Sequence, residues 1–314
     1  MKTVTVVVSV YNEEQALPQF FEAVKNVLDQ AAWDYELLFV NDGSTDKSLE
    51  ILERMAAADS RVKLVSFSRN FGHEAAMIAG LDYSDGDLVI CMDADLQHPP
   101  ECIPKILAAA EEGFDVINMV RTRNRSAGLF KEAASAAFYR VINALSDVKF
   151  EANASDFFAV SRRVVEVLKG SYREKVRFLR GYVQNLGFRK TKLEYEAGVR
   201  VAGESKYSIK KLFSFAVNTI LCFSNLPLRL GIYAGVITGG LGFLVMIYTI
   251  LTWVRVGTPD GYATIVVLIC FMFAVLFLIV GIIGEYIAIL FSEMKDRPIY
   301  IVEKTENISQ NRAM

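Results

Sequence analysis

Two long apolar runs near the C-terminus place the strongest constraint on the fold of this chain. The run from Leu230 to Val254 contains no charged residue, and neither does the run from Ala263 to Gly284. As a helix rising ~1.5 Å per residue, the first run would extend for about 37 Å, against ~30 Å for the hydrocarbon core of a bilayer. The segment between them is short and contains glycine and proline, which suits a turn. We therefore predict a two-helix transmembrane hairpin over residues 229–291.

The basic residues around the hairpin predict its orientation. They are Lys206, Lys210, Lys211 and Arg229 before the first run, and Lys295, Arg297 and Lys304 after the second. The connecting turn holds only Arg255, beside Asp260. Because Lys and Arg concentrate in cytoplasmic loops, both ends of the hairpin are expected in the cytosol. A large domain, residues 1–205, and a C-terminal tail, residues 292–314, are then both cytosolic.

The segment 206–228, just before the hairpin, has an amphipathic pattern. Its apolar residues recur at helical spacing, and polar residues line the other side: Ile209, Leu212, Phe213, Ala216, Val217, Ile220 and Phe223 against Lys210, Ser214 and Asn218. Beside a membrane span, this pattern predicts a helix that lies in the membrane interface. An ordinary amphipathic helix packed on the cytosolic domain is the alternative.

Strand-like and helical segments alternate over the first 160 residues. The strand-like runs are Val4–Val10, Glu36–Val40, Val62–Phe67, Leu88–Met92 and Val116–Val120, and the helical segments are Glu13–Asp29, Asp46–Ala58, Gly72–Asp82 and Pro100–Glu112. This order predicts an α/β fold with a doubly wound, mostly parallel sheet, which binds ligands at the carboxyl ends of its strands. A net charge of −2 argues against a nucleic-acid partner, which requires a basic face.

Polar motifs follow the first two predicted strands. Tyr11-Asn12-Glu13-Glu14 follows the first, and a turn that begins Asn41-Asp42-Gly43 follows the second. Neither a GxGxxG nor a GxxxxGK[ST] motif occurs, so a dinucleotide fold or P-loop is not supported. Asp42 could accept hydrogen bonds from a base or a ribose. A plain turn with a helix cap remains the alternative for this motif.

The fourth predicted strand leads directly into a pair of carboxylates. Asp93 and Asp95 are one residue apart, and the amide of Gln97 follows. Carboxylate and amide oxygens at a strand end can bind Mg²⁺ or Mn²⁺ while leaving positions open for phosphates. The alternative is a helix N-terminus that carries acidic residues. A zinc-protease motif at His73-Glu74 is rejected because Met77 stands where the second histidine would be.

Taken in order, these segments resemble glycosyltransferase family 2, and within it the polyprenyl-phosphate glycosyltransferases. The whole chain looks like the bactoprenol glucosyltransferases, and dolichyl-phosphate mannose synthases are related to them. The matching stretches are VSVYNEE, VNDGSTD, SRNFGHEAAMIAGLDYSDGD, MDADLQHPPE, SDFFAVSRR, FLRG, RVAGESKYSIKKL, GEYI and RPIY. They extend from Val8 to Tyr300, nearly the whole chain.

The resemblance implies a GT-A fold that binds a nucleotide sugar. The nucleotide sugar would be held by Tyr11, Asn12, Glu13, Asp42 and Asp93, and the metal and diphosphate by Asp93, Asp95 and Gln97. Asp156 matches the position assigned as catalytic base. The residues expected around the acceptor phosphate are Arg121, Lys131, Arg200, Ser205 and Lys206.

The chemistry of a phosphate acceptor limits what Asp156 must do. The second pKa of a phosphate monoester is about 6, so the nucleophile is largely ionised at neutral pH. Asp156 then serves to orient the acceptor or to take its last proton. A helix cap before Ser161 is the alternative role for this residue.

The expected reaction is an inverting transfer of glucose from UDP-glucose to undecaprenyl phosphate, at the cytoplasmic face of a bacterial inner membrane. Two departures from the family pattern, Ser155 with Phe158 and Gln184-Asn185, leave mannose or a formylated amino-arabinose as alternative sugars. An inactive membrane scaffold is the alternative of another class. A homo-oligomer is possible because four glycines, Gly235, Gly239, Gly240 and Gly242, permit close helix packing.

Overall fold

The computed structural model describes residues 2–122, 154–175, 177–198, 226–256 and 261–308. These residues belong to two compact units. The first contains the described residues up to 198 and from 297 onward, and the second contains the rest.

The first unit is built on one eight-stranded sheet with the strand order β7-β5-β6-β4-β1-β2-β3-β8. The strands are β1 (Thr3–Val10), β2 (Asp34–Asn41), β3 (Val62–Phe67), β4 (Leu88–Asp93), β5 (Val116–Arg121), β6 (Ala154–Ser161), β7 (Lys190–Tyr195) and β8 (Val302–Glu306). Strand β1 pairs in parallel with β2 and β4, and the β2–β3 and β5–β7 pairs are also parallel. Strand β6 pairs antiparallel with β4 and β5, and β8 pairs antiparallel with β3. The predicted α/β, mostly parallel sheet is confirmed.

Six helices of the first unit follow or connect the strands. They are α1 (Leu17–Leu28), α2 (Ser48–Ala58), α3 (His73–Tyr83), α4 (Ile103–Glu111), α5 (Arg162–Ser171) and α6 (Leu179–Asn185), with a 3₁₀ turn at Pro100–Cys102 leading into α4. All four predicted helical segments are present. The first, second and fourth begin later than predicted, and the third is shifted by one residue. Glu13 and Asp46, the predicted starts of the first two, instead belong to the loops that follow β1 and β2.

The central strand β1 is covered on both faces, which explains why its sequence is mostly valine. Val4, Val6 and Val8 belong to one core cluster with residues of α1 and α4. Val7 points to the other face, where α3 packs so closely that a Cβ on Gly80 would lie 2.0 Å from Val7 Cγ1. Parallel strands covered on both sides contain few polar residues because neither face contacts water.

The C-terminal segment adds strand β8 beside β3. Just before it, the ring of Tyr300 stacks on Phe67 with the centroids 5.0 Å apart, and the Tyr300 hydroxyl donates to Asp82 Oδ2 at 2.7 Å. After it, the Asn307 amide donates to the carbonyl oxygens of Ala56 and Val62. The sequence predicted only a tail here, whereas residues Val302–Glu306 form a strand of the sheet.

The second unit contains two long helices, α7 (Leu226–Val256) and α8 (Tyr262–Met294). The segments long and apolar enough to cross a membrane are Leu230–Leu251 and Phe271–Met294, with mean hydropathy 2.0 and 2.5 and at most 6% of their residues buried. Such exposed apolar side chains suit contact with lipid, which supports the predicted hairpin. The predicted interfacial helix, 206–228, lies outside the described residues except at its last three, which begin α7.

Glycines bring the two helices of the hairpin together. A Cβ on Gly231 or Gly235 would contact Ile279, and one on Gly242 would contact Met272, all at 3.6–3.9 Å. By contrast, Gly239 and Gly240 have nothing within 4 Å of this position. Close helix packing therefore involves part of the predicted glycine set, and it occurs within the chain.

Candidate active site

The loops after β1 and β2 hold each other through reciprocal hydrogen bonds. The Asn12 backbone N–H donates to Ser44 Oγ at 3.0 Å, and the Thr45 N–H donates to Asn12 Oδ1 at 2.8 Å. Asn12 adopts a φ of 56°, a left-handed conformation that asparagine tolerates better than most residues. The Glu13 N–H donates to Ser48 Oγ at 2.9 Å. Two motifs predicted to bind the nucleotide thus form one rigid rim, from which Tyr11 projects with 38% of its surface exposed.

Asp42, at the end of β2, ties this rim to the start of α3. Its carboxylate accepts hydrogen bonds from the Phe71 N–H at 2.6 Å, the Gly72 N–H at 3.0 Å and Asn70 Nδ2 at 3.0 Å. Burial raises the pKa of Asp42, and the bonds from Phe71 and Gly72 oppose that rise. The structure therefore gives Asp42 a supporting role in the loop, and its contact with a base stays a prediction.

The carboxylate pair lies in a tight turn at the end of β4. Asp95 is 5% exposed, and its Oδ1 accepts a hydrogen bond from the Gln97 N–H at 3.1 Å. Leu96 has a φ of 60°, which is strained for a residue with a branched side chain. A tightly constrained backbone holds both carboxylates at the carboxyl end of the sheet.

His98 supports this turn through a hydrogen bond and a stacked ring. Its Nδ1 accepts a hydrogen bond from the Asp93 N–H at 2.9 Å, and its ring stacks on Phe157 with the centroids 5.0 Å apart. Burial lowers the pKa of His98, so the imidazole is neutral, as a nitrogen that accepts a hydrogen bond must be. His98 is a supporting residue of the turn.

The donor set of this turn fits a divalent ion that arrives with a phosphate ligand. Asp93 and Asp95 offer carboxylate oxygens, the donors that Mg²⁺ and Mn²⁺ prefer. Within the described ranges, no group of three or more His, Cys, Asp or Glu side chains gathers to enclose a metal. Mg²⁺ commonly binds through one or two carboxylates and completes its shell with water and substrate phosphates. The Gln97 amide oxygen accepts a hydrogen bond from Arg121 Nη2 at 3.2 Å, so its predicted metal role stays a prediction.

Asp156 is brought to the same end of the sheet by the antiparallel pairing of β6 with β4. Arg180 Nη2 lies 3.1 Å from Asp156 Oδ1, and His73 Nε2 lies 3.8 Å from Asp156 Oδ2. Burial raises the pKa of Asp156, but the charges of Arg180 and His73 outweigh it and the net pKa is lowered. Asp156 is therefore an ionised carboxylate at neutral pH.

His73 lies between the carboxylates of Asp93 and Asp156. Its Nδ1 hydrogen-bonds with Ser9 Oγ at 2.8 Å and lies 3.7 Å from Asp93 Oδ1. Burial lowers the pKa of His73, but Asp93 and Asp156 raise it by more. The sequence motif that includes His73 was tested only as a zinc site, and its position between Asp93 and Asp156 was missed.

Arg180 was also missed as a residue of the site. It is the second residue of α6, whose first N–H, that of Leu179, donates to Glu74 Oε2 at 2.8 Å. Burial raises the pKa of Glu74, and the nearby Asp156 charge raises it further. The available signal was the FLRG stretch, which carried the family resemblance without a role for its arginine.

Of the predicted acceptor residues, the structure describes Arg121 alone. Arg121 Nε donates to the Tyr195 hydroxyl at 3.0 Å, in addition to its bond to Gln97. The predicted residues Lys131, Arg200, Ser205 and Lys206 lie outside the described residues. Arg121 thus stands beside the carboxylate turn, on the side away from Asp42.

Comparison with known families agrees with this geometry. The profile of Glycosyl transferase family 2 matches residues 5–168, which contain the carboxylate turn, His73 and Asp156. The chain belongs to glycosyltransferase family 2. A second profile, the GtrB C-terminal hairpin, matches residues 226–290, which include most of α7 and α8.

Relatives of this family are similar over nearly the whole chain. An uncharacterized glycosyltransferase of Bacillus subtilis (strain 168), YkcC, is 41% identical over 98% of this chain and 95% of its own length. The SfII prophage-derived bactoprenol glucosyl transferase of Shigella flexneri is 37% identical over 96% of this chain and 98% of its own length. The glucosyl-3-phosphoglycerate synthase of Mycobacterium tuberculosis, solved in complex with Mn²⁺, uridine diphosphate and phosphoglyceric acid, covers 70% of this chain and 76% of its own, with 20% identity and a TM-score of 0.48.

The family 2 chain described here is thus a glycosyltransferase with a GT-A-like mixed sheet and two apolar helices. Its departures from the family pattern lie close to Asp156. Ser155 Oγ donates to the Met119 carbonyl oxygen at 3.1 Å, and Phe158, two residues after Asp156 in β6, is 2% exposed. Gln184 is 5% exposed at the end of α6. Ser155 and Phe158 are therefore neighbours of Asp156 along β6, and Gln184 lies one helical turn after Arg180.

Proposed function

We propose that this enzyme transfers glucose from UDP-glucose to undecaprenyl phosphate, inverting the anomeric carbon. The observation that carries the proposal is the placement of Asp93 and Asp156 on two sides of His73, at the binding end of the sheet. Asp93 belongs to the turn suited to a diphosphate and its metal, whereas Asp156 belongs to a different strand, β6. The relatives named bactoprenol glucosyl transferases support glucose and a polyprenyl phosphate as substrates.

The donor would bind along the rim formed by the first two loops. Tyr11, Asn12, Glu13 and Asp42 line the side proposed for the base, and Asp93 and Asp95, with Gln97, line the side proposed for the diphosphate. A bound Mg²⁺ or Mn²⁺ would offset the charge of the nucleoside diphosphate as it leaves. The rigidity of the rim, in which side chains and backbone groups bond to one another, favours a preorganised donor site.

The transfer requires one bond to form and one to break at the anomeric carbon. An oxygen of the acceptor phosphate attacks the anomeric carbon from the face opposite the diphosphate. The bond between the anomeric carbon and the diphosphate oxygen breaks, and the diphosphate oxygen takes the electron pair. The ionised Asp156 orients the acceptor or takes its last proton. Arg121, with Lys131, Arg200, Ser205 and Lys206, would neutralise the acceptor phosphate, since arginine matches phosphate geometry.

The membrane hairpin gives this reaction its location. A polyprenyl phosphate keeps its chain in the bilayer and presents its phosphate at the interface, so an enzyme anchored beside that interface finds it by diffusion in two dimensions. The basic residues that flank the hairpin favour a cytosolic position for the catalytic domain. With undecaprenyl phosphate as the acceptor, the membrane would be the inner membrane of a bacterium. The hairpin has only two spans, which suits an anchor better than a pore.

The test is transfer from radiolabelled UDP-glucose to undecaprenyl phosphate by the purified full chain in detergent. Metal-dependent label in a lipid product is expected, with loss of at least about 100-fold in Asp95→Ala and Asp156→Asn. Asp34→Asn, at an exposed position far from the site, is the matched control and is expected to retain activity. Label only from GDP-mannose or from a nucleotide-linked formylated amino-arabinose would correct the sugar. UDP binding without transfer from any donor would refute the proposed transferase activity and favour an inactive membrane scaffold.

A further inference from the structure

Arg180 contacts Asp156 directly. Its Nη2 lies 3.1 Å from Asp156 Oδ1 and 3.3 Å from Asp156 Oδ2, so one nitrogen bridges both carboxylate oxygens. The side chains of Arg180 and Asp156 are 21% and 28% exposed, which places the pair at the wall of the site and within reach of a ligand. An ion pair of this kind, partly shielded from water, is much stronger than one on an open surface.

The charge of Arg180 would help the acceptor to bind in the proposed reaction. The acceptor is a phosphate anion, and it must approach the ionised carboxylate of Asp156. Two anions within a few ångströms repel strongly where water is partly excluded. A guanidinium bonded to the carboxylate removes most of that repulsion while leaving the carboxylate in place.

The position of Arg180 is itself set by α3. Glu74 accepts the N–H of Leu179, the first residue of α6, and this contact fixes the first turn of the helix that carries Arg180. The preceding residue on α3, His73, faces Asp156 from the other side. Of two consecutive residues of α3, His73 thus lies beside Asp156 and Glu74 supports the helix that carries Arg180.

We propose that Arg180 is a positioning residue for the transfer, which neutralises Asp156 so that the acceptor phosphate can bind beside it, and that Glu74 holds Arg180 in place. The inference rests on the proposed function, because it requires an anionic acceptor. It assigns roles to two side chains that the predicted site did not contain.

Binding of undecaprenyl phosphate in detergent micelles, measured without turnover, tests this role. Arg180→Met is expected to weaken acceptor binding about 100-fold, the effect of removing one partner of a partly buried charge pair, while UDP binding changes less than about twofold. The double variant Asp156→Asn/Arg180→Met is expected to recover acceptor binding to within about fivefold of the parent enzyme, because no charge remains to be neutralised.

A purely architectural role for Arg180 predicts the opposite result. The double variant would then bind the acceptor no better than Arg180→Met alone, and that outcome would overturn the inference. Arg173→Met is the matched control, since Arg173 also pairs with an aspartate, Asp82, at 2.9 Å and 3.0 Å but away from the site. It is expected to leave acceptor binding unchanged.

The role of Glu74 is tested with a conservative and a non-conservative variant. Glu74→Gln keeps an oxygen that can accept the Leu179 N–H, and it is expected to retain transfer within about fivefold. Glu74→Ala removes that oxygen and is expected to lower transfer about tenfold or more, through the KM for the acceptor. Equal activity in both variants would overturn the role of Glu74.

The transfer assay separates failure of this inference from failure of the proposed function. If the parent enzyme transfers sugar to undecaprenyl phosphate and Arg180→Met does so equally well, the role of Arg180 is wrong and the function stands. If the parent enzyme neither binds nor glycosylates undecaprenyl phosphate, the proposed function fails, and this inference fails with it.

Discussion

The carbonyl oxygen of Leu96 lies 2.3 Å from the position that a Cβ on Gly198 would occupy. The Gly198 N–H also donates to the Gln97 carbonyl oxygen at 3.2 Å. Two backbone segments distant in sequence therefore touch at the carboxylate turn. The segment after β7, which leads toward the predicted acceptor loop at Arg200, is packed directly on the residues proposed to bind the diphosphate.

Replacing Gly198 with alanine is expected to weaken the donor site. The added methyl group would displace the backbone of Leu96 and with it the carboxylates of Asp93 and Asp95. We expect Mn²⁺-dependent UDP binding, measured by calorimetry, to fall about 10- to 100-fold. Gly170→Ala, at a glycine with nothing within 4 Å of its Cβ position, is the control. Unchanged UDP binding in Gly198→Ala would show that this contact does not support the turn.

Gly80→Ala is expected to destabilise the first unit, which contains the sheet. A Cβ there would overlap Val7 Cγ1, and Val7, in the central strand β1, is fully buried. Overpacking of this kind costs about 1–3 kcal/mol, measurable by urea unfolding. The double variant Val7→Ala/Gly80→Ala should recover part of the loss, because it removes the overlapping methyl groups. Additive effects of the two changes would argue against direct contact.

Asp115 is expected to stabilise the fold in a pH-dependent way. Its carboxylate accepts hydrogen bonds from Arg163 Nε at 2.6 Å and Ser161 Oγ at 2.9 Å. The bond from Arg163 lowers the pKa of Asp115, with a further contribution from Ser161, although burial opposes it. A carboxyl whose pKa is lower in the folded state stabilises that state above its unfolded pKa, and the contribution is lost as the pH falls through the folded pKa.

Asp115→Asn is expected to lower the free energy of unfolding at pH 7 by about 1 kcal/mol. The effect is small because Arg163 is largely exposed and solvent screens the pair. The difference from the parent enzyme should shrink as the pH falls below about 4, the pKa of an aspartate in an unfolded chain. Urea unfolding at pH 7 and pH 3 measures both values, with the exposed Asp34→Asn as control. A difference that stays constant over this range would contradict the role given to the charge.

Tyr300 is expected to attach the C-terminal strand through two separable contacts. Tyr300→Phe removes the hydrogen bond to Asp82, which keeps its pairing with Arg173, and should cost about 1 kcal/mol. Tyr300→Ala also removes the ring stacked on Phe67 and should cost about 3 kcal/mol or more. Ile301→Ala, at an exposed neighbouring position, should have little effect in the same unfolding measurement. Equal stability of all three variants would place the attachment elsewhere.

The elements predicted from sequence are those whose own residues encode them. Strands β1 to β5 were predicted because their apolar, β-branched runs are short and bounded by turns. Strands β7 and β8 were missed because their sequences, KTKLEY and VEKTE, are rich in charge and their partners supply the pairing. Strand β6 was noticed for its aspartate, and its antiparallel direction follows only from its pairing with β4 and β5.

The same distinction explains the site. Asp93 and Asp95 are separated by a single residue at a strand end, so their proximity could be predicted. The contact of Asp156 with His73 and Arg180 joins residues 83 and 24 positions apart, and only the folded sheet brings them together. The supporting role of Asp42 was likewise hidden, because its partners are backbone groups, which carry no sequence signal.

The charged strand β8 determines what a growing chain exposes before it is complete. Strand β3 is almost wholly buried, and without a neighbour it would present an open row of N–H and C=O groups, which readily pairs with strands of other chains. β8 covers that row, and its five residues carry exposed charges at Glu303 and Lys304 that discourage further strand addition. Because β8 follows both apolar helices in sequence, the sheet edge is sealed only after the ribosome has finished the hairpin. A chain that stalls in the second helix would therefore leave a seven-stranded sheet with β3 as an open edge, which other chains could pair with.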